Sequence, residues 1–342
     1  MKAGVRKFFC CPKCRSDLTY NEAPGAKDSV LKSISCDACG YVAQVQNGIA
    51  RFVPIDNYAR TFGLQWNLHR KTQLDSHTGL PISANRLYHV SQWPRSMKGE
   101  SILEVGSGAG RFTEVLVKTG AEIVSFDYST SVDANYANNG HAPNLTIFQG
   151  DMYELPLRPE SFDKVLCIGM LQNTPDPDKG FRSALQYVRP GGDIVVDIYG
   201  KTLAAMIQWK YLLRPITKRM NPQRLHAFLT AVAPILVPIA TVLRRVAGRV
   251  GTRLIPIPEY SHLGLSPQLN REWAILDSFD MYSPAHDHPR SVAEVRKWME
   301  DAGLEDIEVG RGPNGVIGRA RKPAKAGTAR TEPGPLRQAV NS

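Results

Sequence analysis

Ile102-Leu103-Glu104-Val105-Gly106-Ser107-Gly108-Ala109-Gly110-Arg111 decides how the rest of the chain is read. A short apolar strand runs into three glycines spaced two apart, and a helix is expected to start near Arg111. Glycines let a backbone turn without a Cβ and approach a ligand closely. The free N–H groups of the helix that follows would point at that ligand. Outward from this stretch the pattern recurs. Asp127 follows a second run of strand character, Ala121 to Phe126, and Asp151 follows a third, Leu145 to Gly150. Phe162 to Gly169 reads as a fourth strand, and Arg189-Pro190-Gly191-Gly192 introduces a fifth. Strands alternating with helix-length segments predict an α/β fold with a doubly wound, mostly parallel sheet. Such sheets bind ligands at the carboxyl ends of their strands. There Asp127 is placed to accept both hydroxyls of a ribose, and Asp151 an adenine amino group, with Met152 against the ring.

A dinucleotide site would also show a strand followed by Gly-x-Gly-x-x-Gly. Here Arg111 stands where that fingerprint requires Gly or Ala, and Glu104 precedes the first glycine by two residues. The segment resembles the class I S-adenosylmethionine-dependent methyltransferases, in particular the type 11 group near the quinone-biosynthesis methylases. The resemblance covers about residues 55–200 and 260–318. It implies a seven-stranded sheet, S-adenosylmethionine as cofactor, and a pocket lined by Glu104, Gly106, Ser107, Gly108, Gly110, Asp127, Tyr128, Asp151, Met152 and Ile168. Two short strands expected near Asp306 to Val309 and Gly315 to Arg319 would form the terminal antiparallel pair that this class has and dinucleotide folds lack.

Cys11-Pro12-Lys13-Cys14 and Cys36-Asp37-Ala38-Cys39 are separated by 21 residues. Each pair fits a tight turn, and together they complete a tetrahedral set of four thiolates for Zn2+. Cys10 is a spare beside Cys11, and a redox dithiol is the alternative reading. Thiols paired in this way favour a reducing compartment. The basic start of the chain lacks the apolar run of a secretory signal. A cytoplasmic location is expected. The organisation predicted is a zinc ribbon over 1–53, a methyltransferase core over 54–200 and 259–318, a helical cap over 201–258, and a disordered basic tail over 319–342. Gln46 to Pro54 resembles the closing strand of zinc-ribbon N-termini in related methyltransferases.

At 342 residues, 42% hydrophobic and 22% charged, the composition is that of a soluble globular protein. The net charge of +10 is unevenly placed. Lys201 to Pro258 holds ten Lys or Arg and no Asp or Glu, and the tail from Arg319 adds +5, which leaves the remainder mildly acidic. Ala227 to Leu243 runs seventeen residues without a charge. A helix of that length spans about 25 Å, short of a hydrocarbon core of about 30 Å. Pro234 and Pro238 argue further against a single spanning helix. Upstream, Trp209, Leu213, Ile216 and Met220 approximate one helical face and Lys210, Arg214 and Lys218 another, with Pro215 expected to kink or end the helix. Such helices suit a lid over a pocket, or peripheral contact with the inner face of the cytoplasmic membrane.

Methyl transfer to oxygen needs a base near the acceptor proton. Related enzymes often have Gln-His-Thr-Pro-Asp after the fourth strand; this chain has Asn173, which cannot serve. Asp277 to Pro289 reads as a polar loop resembling the substrate-side loop of methyltransferases in surface-polysaccharide gene clusters, and His286 and Asp280 are its candidate bases. Tyr58, Phe62 and Trp66 form an aromatic stripe expected to pack over the cofactor side, with a lid role for Gln65 or Trp66 as the sharper reading. His69, His77, His89 and His141 show no evident partner. The function expected is methylation, at oxygen, of a small-molecule, glycan or lipid-linked acceptor. An RNA methyltransferase using the ribbon, and a binding platform without activity, are the alternatives.

Overall fold

The computed structural model describes residues 3–22, 31–55, 57–201 and 208–325. The apolar runs become β5 (Ser101–Val105), β6 (Glu122–Asp127), β7 (Leu145–Gln149), β8 (Phe162–Ile168) and β9 (Val188–Tyr199), followed by β10 (Glu305–Gly312) and β11 (Gly315–Arg321). Nearly every residue of β5 to β8 is buried, as strands covered on both faces require. They lie side by side in the order β7-β6-β5-β8-β9-β11-β10. The first five are parallel, and β11 is antiparallel to both its neighbours. This is the seven-stranded sheet with a terminal antiparallel pair that was expected. The chain winds outward from β5 in one direction and from β8 in the other, so the switch point lies between them.

The cysteine-bearing segment does not stand apart. Its strands β1 (Thr19–Glu22), β2 (Leu31–Ser35), β3 (Val42–Gln46) and β4 (Ile49–Arg51) continue the same sheet. β4 pairs in parallel with β7, Ala50 opposite Phe148, which covers an edge that would otherwise be open. The expected closing strand over 46–54 is split by Asn47 and Gly48, with φ of 54° and 79°. Two such residues make the tight hairpin turn that suits antiparallel strands. Nor does this segment have a core of its own. Phe8 stacks on Phe162 at 4.8 Å and Phe9 meets Phe148 edge-on at 5.4 Å.

Between β9 and helix Val292–Asp301 the chain forms the cap. That helix opens with the expected capping box of Ser291 and Glu294. The cap extends past the boundary placed at 258. Helix Pro267–Tyr282 packs Ala274 and Ile275 against Ala233, Val237 and Ala240, and Phe279 and Tyr282 against Leu225 and Leu229. Pro234 and Pro238 do not interrupt the long cap helix Pro222–Thr252, whose break comes at Gly248. Both prolines are exposed, as are Thr230 and Pro234 four residues before them, so the carbonyls deprived of helical partners reach water. Pro215 lies inside the short cap helix Trp209–Thr217, which ends two residues later. The strand β11 extends through Arg321, inside the segment assigned to the tail. Residues 326–342 of that predicted disordered tail fall outside the described residues. His69 is not alone: its Nε2 lies 2.8 Å from His226 Nε2 of the long cap helix. Burial lowers both pKa values, His69 to about 4, which suits a pair of neutral rings sharing one hydrogen bond. His77 also has a partner, Glu272 at 3.8 Å.

Candidate active site

At the switch point the strand ends and the cap enclose a cavity of about 620 Å3, inside the range of roughly 300–1,000 Å3 usual for ligand pockets. Eight of the residues expected around the cofactor line it: Gly106, Ser107, Gly108, Asp127, Tyr128, Asp151, Met152 and Ile168. Gly106 has φ of 75°, and a Cβ there would lie 2.7 Å from Met170. Gly106→Ala should therefore cost on the order of 1–2 kcal/mol for the left-handed backbone alone, and push Met170 into the cavity. Thermal denaturation and cofactor titration would record the two effects.

Two expected residues do not line the cavity. Gly110 packs behind it against Asn135 and Asn139. Glu104 is buried below the loop, where its Oε2 accepts hydrogen bonds from Thr113 Oγ1 (2.5 Å) and Ser125 Oγ (2.7 Å). Its role is to brace the loop. Burial raises its pKa to about 7, above the unfolded value of about 4.3. Its contribution to stability is therefore complete below about pH 4 and is lost as the pH rises through 7. Denaturant unfolding at pH 5 and pH 8 should show this slope in the wild type and a flatter one in Glu104→Gln. The helix expected at Arg111 is a single turn, Thr113–Leu116, prolonged by a 3-10 turn to Thr119 and closed by Gly120. The donors near the ligand wall therefore belong to the glycine loop itself.

The Asp127 carboxylate accepts from Gly108 N–H (3.0 Å), Ser129 N–H (2.8 Å) and Ser129 Oγ (2.8 Å). A carboxylate offers about four acceptor positions, so one remains, on Oδ2. It can serve one hydroxyl at full strength, not the two expected. Asp151 accepts from Tyr153 N–H (2.9 Å), and burial raises its pKa. Ser107 Oγ is buried in the cavity wall with no hydrogen-bond partner among the described residues. An unoccupied acceptor, an unsatisfied hydroxyl and a glycine cradle together fit a polar, hydroxyl-bearing ligand such as a nucleoside.

The aromatic stripe closes this side: Tyr58, Phe62 and Trp66 all face the cavity. Gln65 is fully buried away from it and has no lid role. Asn173 and Thr174 line the cavity after β8, beside Gly169 and Met170.

The opposite wall comes from the cap side. Asp277 and Asp280 do not sit on a loop, as the sequence suggested, but on helix Pro267–Tyr282. Ser266 caps it by accepting from Leu269 N–H, and Pro267 occupies the first turn. The spacing of three puts both carboxylates on one face. Both Asp277 oxygens are engaged: Oδ1 accepts from Gln73 Nε2 (3.2 Å) and Oδ2 from the Tyr260 hydroxyl. Asp280 Oδ2 accepts from Tyr199 OH (2.9 Å), while Oδ1 has no partner among the described residues. Burial raises both pKa values, that of Asp277 to about 6.

His286 does not line the cavity. It lies behind Tyr58, edge-on at 5.4 Å, and stacks on His288. Its neighbour Asp287 is held by Lys210 (3.1 Å) and Arg214 (2.8 Å). The segment is an anchor for the cap.

Several wall residues escaped the sequence reading. Arg111 Nη1 donates to Gln73 Oε1 (2.6 Å), linking the glycine loop to Asp277. Arg86 pairs with buried Asp197 at 2.8 Å. Nothing local in the sequence joins these positions; Ser266-Pro267 was the one available signal, a helix start that would have placed Asp277 and Asp280 on one face.

At the other end of the sheet, Cys11, Cys14, Cys36 and Cys39 bring their sulfur atoms within 4.8 Å of one another. A tetrahedron with Zn–S bonds of 2.3 Å has edges of about 3.8 Å, and the Cys11–Cys39 and Cys14–Cys36 separations are 3.5 and 3.4 Å. Cys10 is outside the set and lies against Arg15.

Residues 103–196, which hold β5 to β9 and the glycine loop, match the family described as a methyltransferase domain. Over those residues the chain is similar to a methyltransferase domain, on a doubly wound sheet of the kind expected from the sequence. The chain is 28% identical over 146 residues to the ubiquinone biosynthesis O-methyltransferase of Methylococcus capsulatus, covering 41% of this chain and 60% of the relative. It is 30% identical over 146 residues to the enzyme of that name from Alkalilimnicola ehrlichii, covering 40% and 58%. The match thus spans about 60% of the length of these curated relatives. Among solved structures, a SAM-dependent methyltransferase of Aquifex aeolicus superposes with a TM-score of 0.38 at 14% identity, over 76% of this chain and 96% of that one. The cap and the ribbon lie outside the matched methyltransferase domain.

Proposed function

We propose that the protein is an S-adenosylmethionine-dependent O-methyltransferase whose acceptor is a small, glycan or lipid-linked hydroxyl compound. The observation that carries this reading is the cavity's two unlike walls: a nucleoside-like cradle at the strand ends, and a cap-side carboxyl, Asp280, with one oxygen left unpartnered by the described residues. The residues that would hold the cofactor are Gly106, Ser107, Gly108, Asp127, Tyr128, Asp151, Met152 and Ile168. When bound, S-adenosylmethionine supplies an electrophilic methyl group that needs no further activation.

The chain's own task is then to place the acceptor and take its proton. Asp280 is the base: its Oδ1 is uncommitted, and burial makes it a better proton acceptor than an exposed aspartate. Tyr199 fixes its orientation by donating to Oδ2. Asp277 positions Tyr260 on the same wall. Trp273, Tyr260 and Tyr199 present flat apolar faces beside these carboxyls, which suits an acceptor with a ring or an acyl portion. The aromatic stripe and the cap exclude water, which would otherwise compete at the reacting centre. The four cysteines are proposed to hold structural Zn2+, which fastens the first strands to the sheet edge.

Incubating the full chain and labelled S-adenosylmethionine with a cell extract, then separating lipid, small-molecule, protein and RNA fractions, tests the reading. Label is expected in the lipid or small-molecule fraction, as an alkali-stable methyl ether. Label in RNA alone would overturn it.

A further inference from the structure

The short cap helix is turned inside out. Its cations Lys210 and Arg214 are buried on Asp287, while Leu212 and Ile216 are 67% and 68% exposed. Lys210 and Arg214 turn inward because the buried Asp287 carboxylate requires cations. The long cap helix shows the same feature on a larger scale. Phe228, Ile235, Ile239, Val242 and Val246 are exposed, Ile235 by 66% and Val246 by 80%. Their spacings of seven, four, three and four residues place them in one stripe along the helix. Lys218, Arg219 and Arg224 lie before this stripe, and Arg245 and Arg253 at its far end. All five are exposed, and none forms an ion pair among the described residues. No Asp or Glu occurs between Lys201 and Pro258.

We propose that this face docks on an anionic lipid bilayer, with the long cap helix lying in the interface. The stripe supplies the apolar contact and the flanking cations the attraction to anionic headgroups, the combination that holds amphipathic helices at a membrane surface. A spanning disposition does not fit. Although Pro222–Gly248 is long and apolar enough, with mean hydropathy 2.0 over its best window, its other face is committed. Leu225, Leu229, Ala233 and Val237 pack on helix Pro267–Tyr282, which carries Asp277 and Asp280, and Arg244 pairs with buried Glu259. Lipid around the whole helix would dismantle the cavity wall. A second copy of the chain would set like charges against each other around the same stripe. A polyanionic RNA would match the cations and leave the stripe in water. A bilayer matches both.

This inference does not rest on the proposed activity, and its test reads lipid binding alone. The full chain is floated through a density gradient with phosphatidylcholine vesicles, and separately with vesicles that also contain phosphatidylglycerol. It is expected to float with the anionic vesicles and to stay behind with the neutral ones. Ile235→Asp combined with Val246→Asp should lower partition on anionic vesicles at least about tenfold. Arg219→Glu, Arg224→Glu and Arg245→Glu should each lower it by roughly fivefold or more. Both sets lie on the surface and should keep the wild-type thermal midpoint. Four results would overturn the proposal. The wild type fails to float with anionic vesicles, or the variants float as it does. The bound protein resists extraction at alkaline pH, as a spanning helix would. The aspartate variant converts a dimer into a monomer, which assigns the stripe to a second copy.

Discussion

Asp280→Asn is expected to lower kcat by roughly 10²- to 10⁴-fold while leaving the affinity for S-adenosylmethionine unchanged. The substitution keeps the shape of the side chain, and its carbonyl oxygen can still accept from Tyr199 OH, so the wall stays in place. What disappears is a group able to take a proton. The pH profile makes the same point with a defined sign. As the proposed base Asp280 must be ionised, and burial raises its pKa. Wild-type kcat/KM should therefore rise with pH along an acid limb displaced above the usual aspartate range, and that limb should vanish in the variant. Asp277→Asn provides the contrast. Both Asp277 oxygens are already engaged, by Gln73 and Tyr260, so its effect should fall mainly on KM. Equal kcat losses in both variants would remove the distinction drawn between the two carboxyls.

Cys36→Ser should release the metal and destabilise the whole protein, not the first fifty residues alone. Structural zinc sites contribute about 10–16 kcal/mol of binding free energy to the segments they organise. Here that segment is continuous with the rest: β4 pairs with β7, and Phe8 and Phe9 pack on Phe162 and Phe148. Loss of even about 3 kcal/mol from a chain of this size corresponds to roughly 4 °C in thermal midpoint. The wild type should contain one zinc per chain by elemental analysis, and Cys36→Ser close to none. Cys10→Ser should retain both metal and midpoint, because Cys10 lies outside the cluster. A metal-free wild type with the same midpoint would refute the assignment.

The sheet was legible because its signals are local. A buried strand followed by glycines, and acidic residues ending successive apolar runs, can be read from about ten residues at a time. The cysteine spacing was legible for the same reason. What the sequence did not disclose arises from distant segments meeting. The ribbon's junction with β7 depends on a three-residue strand, Ile49–Arg51, too short to announce its partner. The cap-side wall depends on helix Pro267–Tyr282 reaching across the cavity, and the polar Asp277, Ser278 and Asp280 masked the apolar spacing of Trp273, Leu276 and Phe279. The orientation of the short cap helix was not legible, because its composition says which residues share a face, whereas a single buried acid, Asp287, decides which face turns inward. His286 was favoured for its chemistry; its place behind Tyr58 could not be read from sequence.

Calorimetric titration of the full chain with S-adenosylmethionine tests the central claim most directly. The wild type should bind one equivalent, and Asp127→Ala should bind at least about tenfold more weakly, the cost of losing a hydrogen bond to a charged group. Asp151→Ala, in which the loop bonds of Asp127 remain intact, should weaken binding in the same direction. A wild type that gives no binding heat at any temperature tried, or variants that bind as tightly as the wild type, would contradict the account.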